Sequence, residues 1–303
     1  MNPLIPNTST PAADRLEEEM RRLILARGLE HWNAADLILS GSYFRGSLLI
    51  ELAEALEVDP QVALSVGVVV EVIHNASLVH DDIIDEDLER RGRPSSFALL
   101  GASQAMLLGD ALIANAYDCL ANLELPSRLK VRLIRVLSKV ILNASRGQAS
   151  QLDCKAGMSC TLDACIEWSR LKTGMLFALP VELALILADR EYSGKLAVSV
   201  GVELGLAYQI MDDLYDWLGC KRGRADTSDL RNAEWTFARI AERDSPGYVA
   251  ETMLGWIVEC MERVKSMNAV LPPEIGFIFN QIEHGIRIQT DEALRYRKKS
   301  NKQ

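Results

Sequence analysis

Apolar positions recur along this chain with the three-to-four-residue spacing of helices that bury one face. Asp14–Arg27 reads as a charged amphipathic helix, and Leu37–Leu56 as a second that stops before Val58-Asp59-Pro60. Gln61–Ile84 differs, being apolar on nearly every face, as a helix at the centre of a bundle is. Ala105–Leu123, Leu129–Ser150, Leu162–Lys172, Met175–Ala188 and Lys195–Leu218 continue the series; Asn232–Ala241, Gly247–Ser266 and Pro273–Ala293 complete it. No run shows the alternation that hairpin-forming strands require, so the predicted class is all-α. Breaks at Arg91–Pro94, Leu125-Pro126 and Gly219–Asp229 read as loops, none long enough to link two domains. The organisation expected is a disordered N-terminal tail over residues 1–12 and one domain over residues 13–303.

Composition narrows the partners. A net charge of −9 argues against nucleic acid, whose phosphates need a basic face. An acidic protein that handles an anionic substrate needs metal ions or a local cluster of Lys and Arg. The basic run Arg295–Lys299 reads as a solvated tail. Cys119, Cys154, Cys160, Cys165, Cys220 and Cys260 are scattered, without a C-x-x-C pair or a histidine at zinc spacing. They read as reduced thiols of a cytoplasmic protein. The N-terminus lacks a secretory pattern. No apolar run reaches the length of a membrane span, so no transmembrane segment is expected; Leu176–Ala188 is short and interrupted by Pro180 and Glu182.

Two acidic clusters stand out. Asp81-Asp82-Ile83-Ile84-Asp85 closes the long apolar helix, and Asp212-Asp213-Leu214-Tyr215-Asp216 closes another. Asp81 and Asp85 lie four apart, hence on one helix face, and so do Asp212 and Asp216. Like charges at that spacing repel, and a helix C-terminus is the wrong end of the macrodipole for anions. A divalent cation between the carboxylates reverses both costs. Magnesium suits an oxygen-only donor set that also meets phosphate; zinc does not, because the clusters hold no histidine. Each cluster alone could be a solvated acidic helix end. The repeated spacing after two apolar helices favours the metal.

These residues resemble the all-trans isoprenyl diphosphate synthases, the polyprenyl synthetase family. The motifs occur in family order: Asp81-Asp82-x-x-Asp85, Arg90-Arg91-Gly92-x-Pro94, Lys172-Thr173-Gly174, Tyr208-Gln209-x-x-Asp212-Asp213-x-x-Asp216, then Asp229-Leu230-Arg231-Asn232. The resemblance implies a class I isoprenoid synthase-like bundle around a deep apolar pocket, usually a homodimer. It implies three magnesium ions with bound diphosphate, ionisation of an allylic prenyl diphosphate, and elongation by isopentenyl diphosphate. Asp81, Asp82, Asp85, Asp212 and Asp216 would serve the metals, with Asp213 and Lys172 also catalytic. Arg90 and Lys172 would touch the allylic diphosphate, with Thr173 and Gln209 orienting it. Arg45, His74 and Arg91 match the acceptor site, and Arg224 a downstream substrate contact.

The acceptor site departs from the family pattern. Where members carry Gly-Gly-Lys-x-x-Arg, this chain reads Ser40-Gly41-Ser42-Tyr43-Phe44-Arg45, so Ser42 replaces the lysine. Phe97 stands where many members have histidine. Gly223-Arg224 and Ala233-Glu234 replace two Gly-Lys pairs. His74 also has a bland reading, a satisfied core histidine on an apolar helix. Loss of a charge-assisted hydrogen bond costs about 1.5–3 kcal/mol, which weakens a diphosphate site without abolishing it. The alternative is a terpene synthase on the same scaffold, which ionises a prenyl diphosphate and needs no acceptor; a silent regulatory subunit is a third reading. In the family, bulky residues four and five positions before the first Asp block the growing chain; here Ala76 and Ser77 are small, with Ile73 a turn deeper, so the resemblance implies a pocket for a chain of farnesyl size or longer, up to the geranylgeranyl class.

Overall fold

The computed structural model describes residues 11–155, 160–190, 194–219 and 235–300. The described chain is helical apart from one small hairpin, as the apolar spacing predicts. α1 (Pro11–Ala26) packs its Leu16, Met20 and Ile24 face inward and leaves Arg–Glu pairs outside. The predicted Leu37–Leu56 helix is not continuous. It is α2 (Ala34–Ile38) and α3 (Phe44–Ala55), separated where Ser40-Gly41-Ser42 gives the helix little support and Tyr43 turns left-handed, φ 51°.

α4 (Pro60–Ile84) starts where Asp59 accepts from the amides of Gln61 and Val62, with Pro60 at the first helical position. Its valines are buried almost all round, so it is the central helix. Two short strands follow, β1 (Glu89–Arg90) and β2 (Arg93–Pro94), paired antiparallel across Arg91-Gly92. Both turn residues have positive φ, 56° and 75°, the geometry a two-residue hairpin favours. α5 (Ser96–Asn122) begins earlier than its predicted start at Ala105, because Ser95 caps the amide of Ala98 and the helix runs through a kink at Gly101.

α6 (Ser127–Lys155) and α7 (Leu162–Ser169) lead into a π-helical turn, Arg170–Gly174. α8 (Met175–Leu187) tolerates Pro180 inside it, and α9 (Gly194–Trp217) carries the second aspartate motif. α10 (Phe237–Asp244), α11 (Val249–Asn268) and α12 (Pro273–Ser300) close the fold. α10 starts at a Thr236 cap; the predicted beginning of that helix, at Asn232, lies outside the described residues. One continuous apolar core joins these helices: α4 packs on α3 and α5, α8 on α3, α6 and α9, and α9 on α11. The five described cysteines are free thiols; Cys220 lies outside the described residues.

α4 and α5 are each long and apolar enough to cross a membrane, which corrects the reading that no run reaches that length. In α4 that apolar stretch is 72% buried, the mark of a core helix. In α5 only 22% is buried, leaving Leu99, Met106 and Leu107 exposed.

Candidate active site

The ends of α4 and α9, the π-helical turn, the hairpin and the α2–α3 loop surround one cavity of about 1550 Å³. That exceeds the several-hundred-Å³ pockets that hold drug-sized ligands. Asp81 and Asp85 reach it from α4 and Asp212 from α9. The shared face predicted for Asp81 and Asp85 therefore opens on the cavity. Lys172 Nζ stands 3.3 Å from Asp81 Oδ1, so the first acidic motif and the π-helical turn meet.

Two of the five residues expected to serve metals face elsewhere. Asp82 is 2% exposed and does not line the cavity. Arg90 Nε donates to it, and Ser96 Oγ donates at 3.1 Å. Burial pushes its carboxyl up from the ordinary value, and Arg90 pulls it back. Arg90, expected on the diphosphate, lines the cavity while also holding Asp82 and approaching Asp87. Asp216 is buried against a separate, water-sized hollow beside Trp217, Arg239 and Glu242. The i,i+4 pairing thus brings Asp81 and Asp85 to the cavity together, but only Asp212 of the second pair.

A hydrogen-bonded chain holds the rest of the second motif. Thr173 Oγ1 donates to Gln209 Oε1 at 2.7 Å, and Gln209 Nε2 donates to Asp213 Oδ1 at 2.8 Å. The other Asp213 oxygen accepts from the Phe237 amide at 2.9 Å. Asp213 therefore anchors α10 to α9 and fixes the Gln209 amide, while Thr173 and Gln209 present their remaining groups to the cavity.

A second cationic corner lies at the α2–α3 loop. Ser40, Gly41 and Ser42 line it with Arg45, His74 and Arg91. The left-handed turn at Arg91 lays its guanidinium against Gly41, where an added Cβ would sit 3.1 Å from Nη1. Arg45 is 8% exposed, stacks on the Phe177 ring at 4.8 Å and meets His74 Nε2 at 3.2 Å. Burial, then the charges of Arg45, Arg91 and Arg90, push His74 well below the ordinary imidazole range. The ring is thus neutral and can accept from Arg45 through Nε2. Arg45 Nε and His74 Nδ1 have no hydrogen-bond partner. Buried polar groups left open in this way suit a ligand that is itself polar.

Ile73, Ala76 and Ser77 line the cavity with Ile113 and Ile141, so the residues read as setting chain length do face its apolar part. Arg224 lies outside the described residues, as do Ala233-Glu234. Sequence reasoning missed Trp168, Tyr215, Trp235 and Gln289, which also line the cavity. It missed Glu71 too, a 2% exposed carboxylate that accepts from the Gly46 amide at 2.6 Å and so caps the first turn of α3. The signal was available: Glu71 is a lone acid in a valine-rich run, one turn before His74.

A helical shell around a cavity with acidic and basic walls suits an enzyme that handles a charged substrate. Comparison with known proteins is specific. A polyprenyl synthetase family profile matches residues 32–269. The chain is 32% identical to (2E,6E)-farnesyl diphosphate synthase of Mycobacterium tuberculosis, over 84% of this chain and 72% of that one. It is 35% identical to geranylgeranyl diphosphate synthase of the same organism, over 78% and 69%. Among solved structures, the geranylgeranyl pyrophosphate synthetase of the archaeon Geoglobus acetivorans matches at TM-score 0.76 and 25% identity, covering 90% of this chain and 95% of that one. The chain belongs to the polyprenyl synthetase family and is a prenyltransferase.

Proposed function

We propose that this prenyltransferase joins isopentenyl diphosphate to an allylic prenyl diphosphate, giving a geranylgeranyl-class product. The supporting observation is that one cavity has two separate cationic corners. Lys172 stands beside Asp81, and Arg45 with Arg91 stands at the α2–α3 loop. An enzyme with one diphosphate substrate needs only one such corner. Asp81, Asp85 and Asp212 would hold magnesium, three ions being expected with bound diphosphate. The oxygen-only donor set fits. Among the described residues no three potential ligands converge on one point, so magnesium here would need water and substrate phosphate to complete its shell. Bound magnesium supplies Lewis-acid stabilisation of the leaving diphosphate. Lys172 adds a fixed positive charge there, Thr173 and Gln209 orient the substrate, and the apolar walls keep water from the allylic cation.

The test is purified protein with magnesium and geranyl, farnesyl or geranylgeranyl diphosphate, each with and without isopentenyl diphosphate. Longer prenyl alcohols after phosphatase treatment, formed only with isopentenyl diphosphate, are expected. A hydrocarbon or terpene alcohol formed without it would replace this reading by the terpene synthase that Ser42 suggests.

The cavity wall carries the product-length prediction. Ser77→Phe places a ring among Ile73, Ala76 and Ile113 and is expected to shorten the main product by at least one five-carbon unit. An unchanged product distribution would remove Ser77 from that role. We also propose a homodimer through α5, which leaves the apolar side chains of Leu99, Met106 and Leu107 exposed. Sedimentation at a dimer mass that falls to a monomer in Met106→Glu/Leu107→Glu is expected; a monomeric wild type would end the proposal.

A further inference from the structure

We infer that Glu203 is a positioning residue for the allylic diphosphate site, acting through Arg170 on the π-helical turn that carries Lys172 and Thr173. The inference rests on the prenyltransferase reading for its function and on separate geometry for its mechanics. Glu203 sits on α9, two turns before Gln209, and does not line the cavity, so it cannot touch substrate. It is 8% exposed and fully engaged. Oε1 accepts from Arg170 Nε at 2.9 Å and Nη2 at 2.6 Å, a two-pronged ion pair. Oε2 accepts from Arg263 Nε of α11 at 2.8 Å.

Arg170 is the first residue of the turn, and its carbonyl accepts from the Met175 amide, five residues on. That wide bond spans Lys172 and Thr173. A π-type turn is not a helix's preferred geometry, and it persists only where its surroundings hold it. Gly147 of α6 closes on its middle, where an added Cβ would lie 3.0 Å from Leu171 Cβ and Lys172 N, and two contacts from α9 bear on its ends. At one end Glu203 grips the Arg170 side chain. At the other, Gly205 of the same helix admits the turn so closely that a Cβ would lie 2.7 Å from Gly174 Cα and 3.0 Å from Thr173 O. One helix, α9, thus carries Asp212 and Gln209 and also fixes the phase of the turn that brings Lys172 to Asp81 and Thr173 to Gln209. Without the Arg170 grip, the turn can relax toward ordinary helix, which rotates Lys172 and Thr173 about the axis and away from their partners.

Arg263 provides the control. It binds the other oxygen of the same carboxylate, and its remaining polar partners are Cys260 and Glu259 of its own helix, not residues of the turn. Two measurements test the idea on the full-length enzyme. The first is calorimetric titration, with magnesium, of an unreactive thiolo-diphosphate analogue of farnesyl diphosphate. Glu203→Gln and Arg170→Ala are each expected to weaken binding about tenfold, the double variant no further than the worse single, because one interaction is lost either way. Arg263→Ala should lower Tm and leave analogue affinity within about twofold of wild type. The second is amide hydrogen exchange over Arg170–Gly174 without substrate, expected to quicken in Glu203→Gln and not in Arg263→Ala. Unchanged affinity and exchange in a folded Glu203→Gln protein would overturn the assignment. So would equal losses in Arg263→Ala, which would make Glu203 a general packing anchor. If wild type binds no allylic analogue, the proposed function fails, and the exchange result alone decides the inference.

Discussion

Asp81→Ala is expected to lower turnover by at least about a hundredfold while the protein stays folded, a loss of some 2.7 kcal/mol of transition-state stabilisation. Asp81 lines the cavity at the last turn of α4, beside Asp85, and its oxygen sits 3.3 Å from Lys172 Nζ. On the proposed reading, removing it would subtract a metal ligand and release the lysine that faces the leaving group, so both charges on the departing diphosphate would be disturbed together. Folding should survive. Asp81 is partly exposed, and relief of its repulsion with Asp85 offsets the lost ion pair, itself worth little near the surface. The measurement is initial rate at saturating magnesium, with Tm as the folding control. A variant within a few-fold of wild type would remove Asp81 from the metal site. Asp82 offers a contrast in the same motif: it is the carboxylate that Arg90 and Ser96 hold in the protein interior. Asp82→Ala should therefore cost Tm as well as rate.

That contrast marks how far the amino-acid pattern reaches. Helical periodicity depends on local sequence, so the long elements and the common face of Asp81 and Asp85 were legible. Direction into a cavity is a tertiary property. Asp82 turns inward because a hairpin with two left-handed residues, Arg91 and Gly92, brings Arg90 back onto α4. The dipeptide reads as a loop, but its consequence for Asp82 does not. The Ser40–Tyr43 break was missed because apolar spacing continues through it. What stops the helix is Tyr43 in the left-handed region and Glu71, from another helix, taking the Gly46 amide. The π-helical turn was missed for a similar reason. Leu162–Lys172 and Met175–Ala188 each keep helical spacing, and only the phase shift between them places Lys172 and Thr173 where they are. The close contacts on that turn come from α9 and α6, whose residues are not its sequence neighbours. The motif Lys172-Thr173-Gly174 identified which residues matter without saying what bends the backbone there.

Arg45→Met is expected to raise the KM for isopentenyl diphosphate about a hundredfold and to leave the KM for the allylic substrate within about threefold. Arg45 is the most deeply buried cation of the corner at the α2–α3 loop. Among the described residues its hydrogen-bond and ring partners are His74 and the Phe177 ring, its Nε is open, and the buried Glu71 carboxylate bears on it electrostatically. Burial pulls its guanidinium below the ordinary value, the sign of a charge kept at some cost. An anionic headgroup would repay that cost by accepting from the open donors, so its loss falls on acceptor affinity. Methionine fills the same volume without a charge, and Tm should stay within a few degrees because the relieved desolvation offsets the lost ring stacking. Ser42→Lys is the opposite perturbation. It adds a cation to a corner where Arg91 already lies against Gly41, and it should lower the same KM about tenfold. Paired results in these opposite directions would establish the corner as a working acceptor site with one charge missing. If neither variant moved the KM for isopentenyl diphosphate, the corner would be idle, and the open Arg45 and His74 groups would be remnants on a scaffold that ionises one substrate.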